Sequence, residues 1–188
     1  MIDSYRKYLE YLEADRIALQ RNKSLKMLFL DDIWCFQRLM RKLEYLVNCN
    51  GNIAKKLLCQ YRYRRLSKKL GFTIPINVFG PGLSIAHQGT IVVNEGASVG
   101  ANCRLHVCTN IGTAAGEKNS APKLGNNCYI GPGAKLFGNI EIGNNVAIGA
   151  NAVVNKSFGD NVTIAGIPAN IISHKDSSNL LTEGYKIT

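Results

Sequence analysis

Two rhythms of apolar and polar residues divide the chain. From Tyr5 to Leu70 apolar residues return at three- and four-residue steps, as in Ile33, Phe36, Met40, Leu43 and Val47, and glycine occurs only at Gly51. That spacing predicts α-helices with one buried face. Asp31 or Asp32 is placed to cap the helix carrying IWCFQRLMRKLEYL, and NCNGN (48–52) to end it before a second helix. From Gly71 onward glycine, asparagine and β-branched residues take over, and the period becomes six. Leu124, Ile130, Leu136, Ile142, Ile148 and Val154 follow at that step, and glycine comes directly after four of them. Val99, Leu105 and Ile111 form an earlier block, and Phe79, Ile85 and Ile91 precede a two-residue slip of phase.

A six-residue period fits neither a helix nor a flat sheet, whose periods are 3.6 and 2. It fits a triangular coil, with each side a short strand, each corner a tight turn, and each aliphatic pointing inward. Small or β-branched residues four places on (Cys103, Thr109, Cys128, Ala134, Val146, Ala152) fill the space beside it. Three hexads close one turn, and turns stack so that inward side chains pack in columns. The pattern predicts a parallel β-helix of about five coils over 71–173, an α-helical segment over 1–70 and a polar C-terminal tail over 174–188.

Charge adds a second asymmetry. The net charge is +10, and almost all of it lies in the helical part. YRYRRLSKKLG (61–71) could suggest nucleic acid, but aromatic and basic residues at helical spacing more often form a solvated face, so no nucleic-acid partner is expected. No apolar run approaches the roughly 18 residues a membrane span needs, which leaves at most peripheral membrane association and a cytoplasmic setting. Six cysteines form no CxxC pair; buried free thiols are expected, and no metal.

Three stretches carry a family resemblance: IGPGAKLFGNIEIGNNVAIGANAVV (130–154), AGIPANII (165–172) and GPGLSIAHQGTIVVNE (80–95). Over 72–173 the chain resembles the left-handed β-helix, hexapeptide-repeat acyltransferases, in their serine acetyltransferase-like branch. The resemblance implies an acetyl-CoA-dependent O-acetyltransferase working as a homotrimer, with the coenzyme in the groove between neighbouring prisms. GTAAGEKNSAPK (112–123), which interrupts the hexads, matches a loop that helps close the site. Thr113, Ala114, Ala134, Lys135, Ala152, Ala165 and Gly166 stand where the family contacts the pantetheine arm, and Lys175 could supply charge for the phosphates.

His87, in LSIAHQGTIVV, matches the family's general base, a task that suits imidazole because its pKa lies near neutrality. The family's two aspartates are absent, their places being held by Ala86 and Phe72, so Glu95, Asp31, Asp32 or a backbone carbonyl must orient the ring. Asp31, Asp32 and His106 are candidates for contact with the acceptor, and His106 is a rival base. Before Pro122 and Lys123 the family carries an Arg-His pair that grips its amino-acid acceptor; here Ser120 and Ala121 stand instead. On that ground a neutral acceptor, a sugar hydroxyl of a surface polysaccharide precursor, is favoured. The alternatives are L-serine, as in cysteine biosynthesis, or a non-catalytic trimeric scaffold.

Overall fold

A computed structural model describes residues 1–24, 30–117 and 120–187. Among the described residues three helices lead: α1 (Tyr5–Ala18), α2 (Asp32–Asn48) and α3 (Ile53–Leu70). Each is capped by a side chain that accepts a backbone N–H three residues on: Ser4 from Lys7, Asp31 from Trp34, Asn52 from Lys55. The predicted cap is therefore Asp31, and Asp32 begins the helix. NCNGN breaks the chain as expected, with Asn50 in the left-handed region at φ 53°.

Beyond Gly71 the chain visits three sheets in rotation and closes a left-handed parallel β-helix. Sheet A stacks Phe72–Thr73, Ile91–Val93, Asn110–Gly112, Lys135–Phe137 and Val153–Val154. Sheet B stacks Ser98–Val99, Lys123–Leu124 and Glu141–Ile142, and single bridges to Phe79 and Phe158 extend it at both ends. Sheet C stacks Ser84–Ile85, Arg104–Leu105, Tyr129–Ile130, Ala147–Ile148 and Thr163–Gly166, closed by the antiparallel Ala169–Ser173. Each sheet thus has five levels of coil, the number the repeat predicts.

The inward columns are those read from the period. Ile85, Leu105, Ile130, Ile148 and Ile164 lie one above another in sheet C, each 0% exposed. The phase slip resolves inside one strand: Ile91 pairs with Phe72 and Val93 with Ile111, both are buried, and only Val92 points out. Glycine after the aliphatic has a packing reason at the edge between sheets B and C. A Cβ on Gly80 would lie 2.7 Å from the carbonyl carbon of Gly100 in the next coil. Asn102, Asn127, Asn145 and Asn161 hold left-handed turns along that edge and donate amide to amide in a ladder at 2.9 Å per rung.

The first coil has no coil above it, and the helices cover it. Phe36 and Met40 close the apolar interior, Phe36 lying edge-on to Phe72 at 5.1 Å between ring centres. The coil's exposed backbone is met by a buried ionic cluster. Asp15 accepts from the N–H of Gly82 and Leu83, both at 2.9 Å, and Glu44 accepts from Asn77. Arg41 donates to both carboxylates and to the carbonyls of Phe79 and Gly80. Burial alone would lower the pKa of Arg41, but the two carboxylates outweigh it and hold the guanidinium charged.

Two expectations need correction. Only Cys59, Cys103 and Cys128 are buried; Cys35 and Cys49 are half-buried and Cys108 is exposed, because Cys108 sits at a left-handed corner, φ 63°. Burial pushes the Cys128 thiol up to about 12. The polar tail is also more than a solvated end. Ser177 donates to the carbonyls of Asn145 and Asn127, and Asn102 holds the backbone of Gly184 and Tyr185, so the tail runs back along the asparagine ladder to the helices.

Candidate active site

The edge between sheets C and A carries the candidate histidines, His87 and His106. His87 leaves sheet C just after Ile85, at the first coil, and is exposed there. It lines a cleft of about 680 Å³ with Leu30, Asp31, Asp32, Ile33, Ala86 and Gln88. The helical segment therefore supplies two carboxylates to the lining of this cleft, which sequence spacing could not establish. Asp31 has both oxygens committed, one to the N–H of Trp34 and one to Arg21 at 2.6 Å. Asp32 is paired with the exposed Lys69 at 2.6 Å and is the more accessible of the two.

His106 follows one coil below, its ring centre 6.1 Å from that of His87 and 5.1 Å from that of Tyr129. Arg104 Nε donates to His106 Nε2 at 3.4 Å. Burial first, then Arg104 and His87, lower the His106 pKa below its usual 6.5. A ring held neutral beside a cation suits a contact more than a base. The unfolded chain binds a proton at this ring that the folded chain resists, so folded stability should fall as the pH drops below about 6.5. His106→Gln should flatten that part of the pH profile in urea unfolding.

Arg104 is a residue that sequence reasoning missed. It lines a polar recess of about 230 Å³ with Arg21, Gln20, Ser84 and Ala86, and Ala86 also belongs to the His87 cleft. Arg21 is neutralised by Asp31, whereas among the described residues no carboxylate pairs with Arg104. The outward position before Leu105 in the hexad was the available signal, since inward aliphatics alternate with outward residues along each side.

The remaining candidates separate. Lys135, Ala165 and Gly166 lie along the His87 edge or its last coil, and the Lys135 ammonium reaches the carbonyl of Cys108. Lys175 is exposed in the tail, its carbonyl accepting from Thr163. Ala134 and Ala152 must be corrected: both are fully buried, and their N–H and C=O groups are spent on the turns and ladder, so neither can touch a coenzyme outside the prism. They fill the corner beside the inward aliphatic. Glu95 stands away from the His87 of its own chain, exposed at the next edge, between sheets A and B. Thr113 and Ala114 open the long loop at that same second edge, half-buried, with the Ala114 N–H donating to Ser120. Ser120 and Ala121 are buried. Lys118 and Asn119 of the loop lie outside the described residues. Phe72 is buried in sheet A against Phe36 and stands apart from the cleft.

Comparison with known proteins agrees with the fold. Residues 121–156 match the family described as bacterial transferase hexapeptide (six repeats). A serine acetyltransferase of Buchnera aphidicola subsp. Acyrthosiphon pisum is 34% identical over 138 residues, which is 72% of this chain and 50% of that protein. One from Staphylococcus epidermidis is 34% identical over 132 residues, covering 65% of this chain and 62% of that one. The chain thus spans about half to three-fifths of the length of these relatives. Among solved structures, serine acetyltransferase from Brucella abortus strain S19 superposes with a TM-score of 0.74 at 28% identity, covering 93% of this chain and 72% of that one. The same enzyme in complex with coenzyme A gives 0.73 at 29% identity, covering 91% and 70%. The chain thus has the left-handed β-helix fold built on hexapeptide repeats, and the proteins it is similar to are serine acetyltransferases. Among the described residues no helix is long and apolar enough to cross a membrane.

Proposed function

We propose that the chain is an acetyl-CoA-dependent O-acetyltransferase with His87 as its general base. The observation that carries this is an exposed histidine on a hexapeptide prism, facing a cleft that holds two carboxylates. His87 takes the proton from the acceptor hydroxyl as the oxygen attacks the thioester carbonyl. The tetrahedral adduct collapses to ester and CoA thiolate, and the imidazolium returns the proton to the sulfur. Asp32, at the rim of the same cleft, is the favoured group to steady the ring or the incoming acceptor.

The candidate residues divide between two edges of one prism, His87 and Lys135 on the first and Thr113 and Ala114 on the second. A single coenzyme touching both sets needs the first edge of one chain and the loop of a neighbour. This geometry supports a homotrimer with the sites between chains.

For the acceptor, L-serine is favoured over a sugar hydroxyl. The relatives are serine acetyltransferases, and the cleft and the polar recess that adjoins it at Ala86 offer charges of both signs, Asp32 in the first for an ammonium and Arg104 in the second for a carboxylate. Arg104→Gln should then raise KM for L-serine about 10- to 100-fold, the loss of one charge-assisted hydrogen bond. L-serine amide, which lacks the carboxylate, should be unaffected by the substitution. The second reading, a neutral sugar acceptor, draws on Ser120 and Ala121: both are buried and neither offers the loop a charge to grip a carboxylate. Thiol release with a panel of sugars and amino acids decides between them; turnover with a sugar alone, indifferent to Arg104→Gln, would remove serine.

A further inference from the structure

Helix α3 carries charge and apolar surface that the fold does not use. It holds seven Lys and Arg between Lys55 and Lys69 and no acidic residue. Its packing consumes little of it: of its 18 residues only Cys59 and Leu70 are buried, with Tyr63 and Leu66 partly packed beside them. Among the described residues, one of the seven cations, Lys69, meets a carboxylate. A helix kept basic merely for solubility would leave its outward face polar. Here Ile53, Leu57, Leu58 and Tyr61 are exposed at 73%, 59%, 60% and 59%.

These side chains are ordered along the helix. At 100° per residue Ile53, Leu57 and Tyr61 share the outward face, opposite Cys59 and Leu70, and Arg64, Arg65 and Lys68 continue the same face one and two turns further on. The outward surface is therefore apolar in its first half and basic in its second. A second copy meeting this face would set one cationic row against another, which charge repulsion opposes. A nucleic acid would meet the cations and leave three large aliphatics in water. An anionic bilayer satisfies both halves, since its phosphates take the guanidinium and ammonium groups while the headgroup boundary takes the apolar side chains.

We propose that the outward face of α3 docks the protein on an anionic phospholipid surface, lying in the interface plane. The docking stands apart from the activity proposed above and does not depend on it. It has a geometric consequence, because the Lys69–Asp32 pair ties the basic end of α3 to the rim of the His87 cleft. A docked chain would hold that cleft beside the bilayer.

The test is flotation of the full chain with vesicles of phosphatidylcholine alone or of phosphatidylcholine with phosphatidylglycerol. The protein should float with the anionic vesicles, stay behind with the neutral ones, and detach as salt is raised several-fold above physiological strength. Arg64→Gln/Arg65→Gln/Lys68→Gln should lower partitioning at least about tenfold. Leu57→Ser/Leu58→Ser should lower it as well, and circular dichroism should show both variants folded. Absence of flotation, or equal flotation with neutral vesicles, would overturn the proposal. So would a leucine variant that floats normally while wild type retains single-stranded RNA, which would make the face a nucleic-acid surface. A leucine variant whose altered property is its mass by light scattering would make it a subunit interface instead.

Discussion

Replacing His87 by alanine should lower turnover about 10²- to 10⁴-fold, the usual contribution of a positioned base, while leaving folding and coenzyme binding unchanged. The ring is exposed, so its removal opens no cavity in the core. The same variant tests whether the site is shared. Co-expressed with a chain shortened in the 112–123 loop, itself inactive, it should assemble mixed trimers in which some sites combine an intact His87 edge with an intact neighbouring loop. Random assortment predicts about a quarter of wild-type activity from equal amounts. No recovery would place loop and base in one chain and undo the shared site. An unimpaired His87→Ala protein would end the reading of His87 as base.

Asp15→Ala should be the most destabilising single change, at about 3–5 kcal/mol in urea unfolding. Its carboxylate pairs with Arg41, and both side chains are 0% exposed. Truncation leaves a buried guanidinium short of countercharge and strands the N–H groups of Gly82 and Leu83, which Asp15 alone receives. Glu13→Ala is the control: its partners Arg16 and Lys23 are at the surface, and its loss should cost under about 1 kcal/mol. If the two variants unfold alike, the cluster is not what secures the helices to the first coil.

The lines of the β-helix were legible in the sequence because its interactions repeat. Each aliphatic packs on its counterpart eighteen residues or so away, so the same demand is written again in every coil, and even the slip at Ile91 and Val93 shows as a break in count. His87 was legible for a different reason, as the one histidine inside a motif. Arg104 was not, because an outward position in a hexad is chemically unconstrained and acquires meaning only from what faces it. Ala134 and Ala152 misled on the same ground: a small side chain reads alike whether it lines a groove outside the prism or fills a corner within it.

The sequence by itself determined the two-part organisation, the period and the inward columns, because each follows from local spacing and from burial of apolar side chains. Only the tertiary structure decided which residues share the cleft. Asp31 and Asp32 stand more than fifty positions before His87, and they reach it because Phe36, Gln37 and Arg41 fasten α2 onto the open first coil. Glu95, only eight positions after His87, is carried to another edge because one side of the prism separates them. The tail was likewise undetermined: its contacts are hydrogen bonds from Asn102 and to Asn127 and Asn145, and such polar pairings leave no periodic trace for a sequence to show.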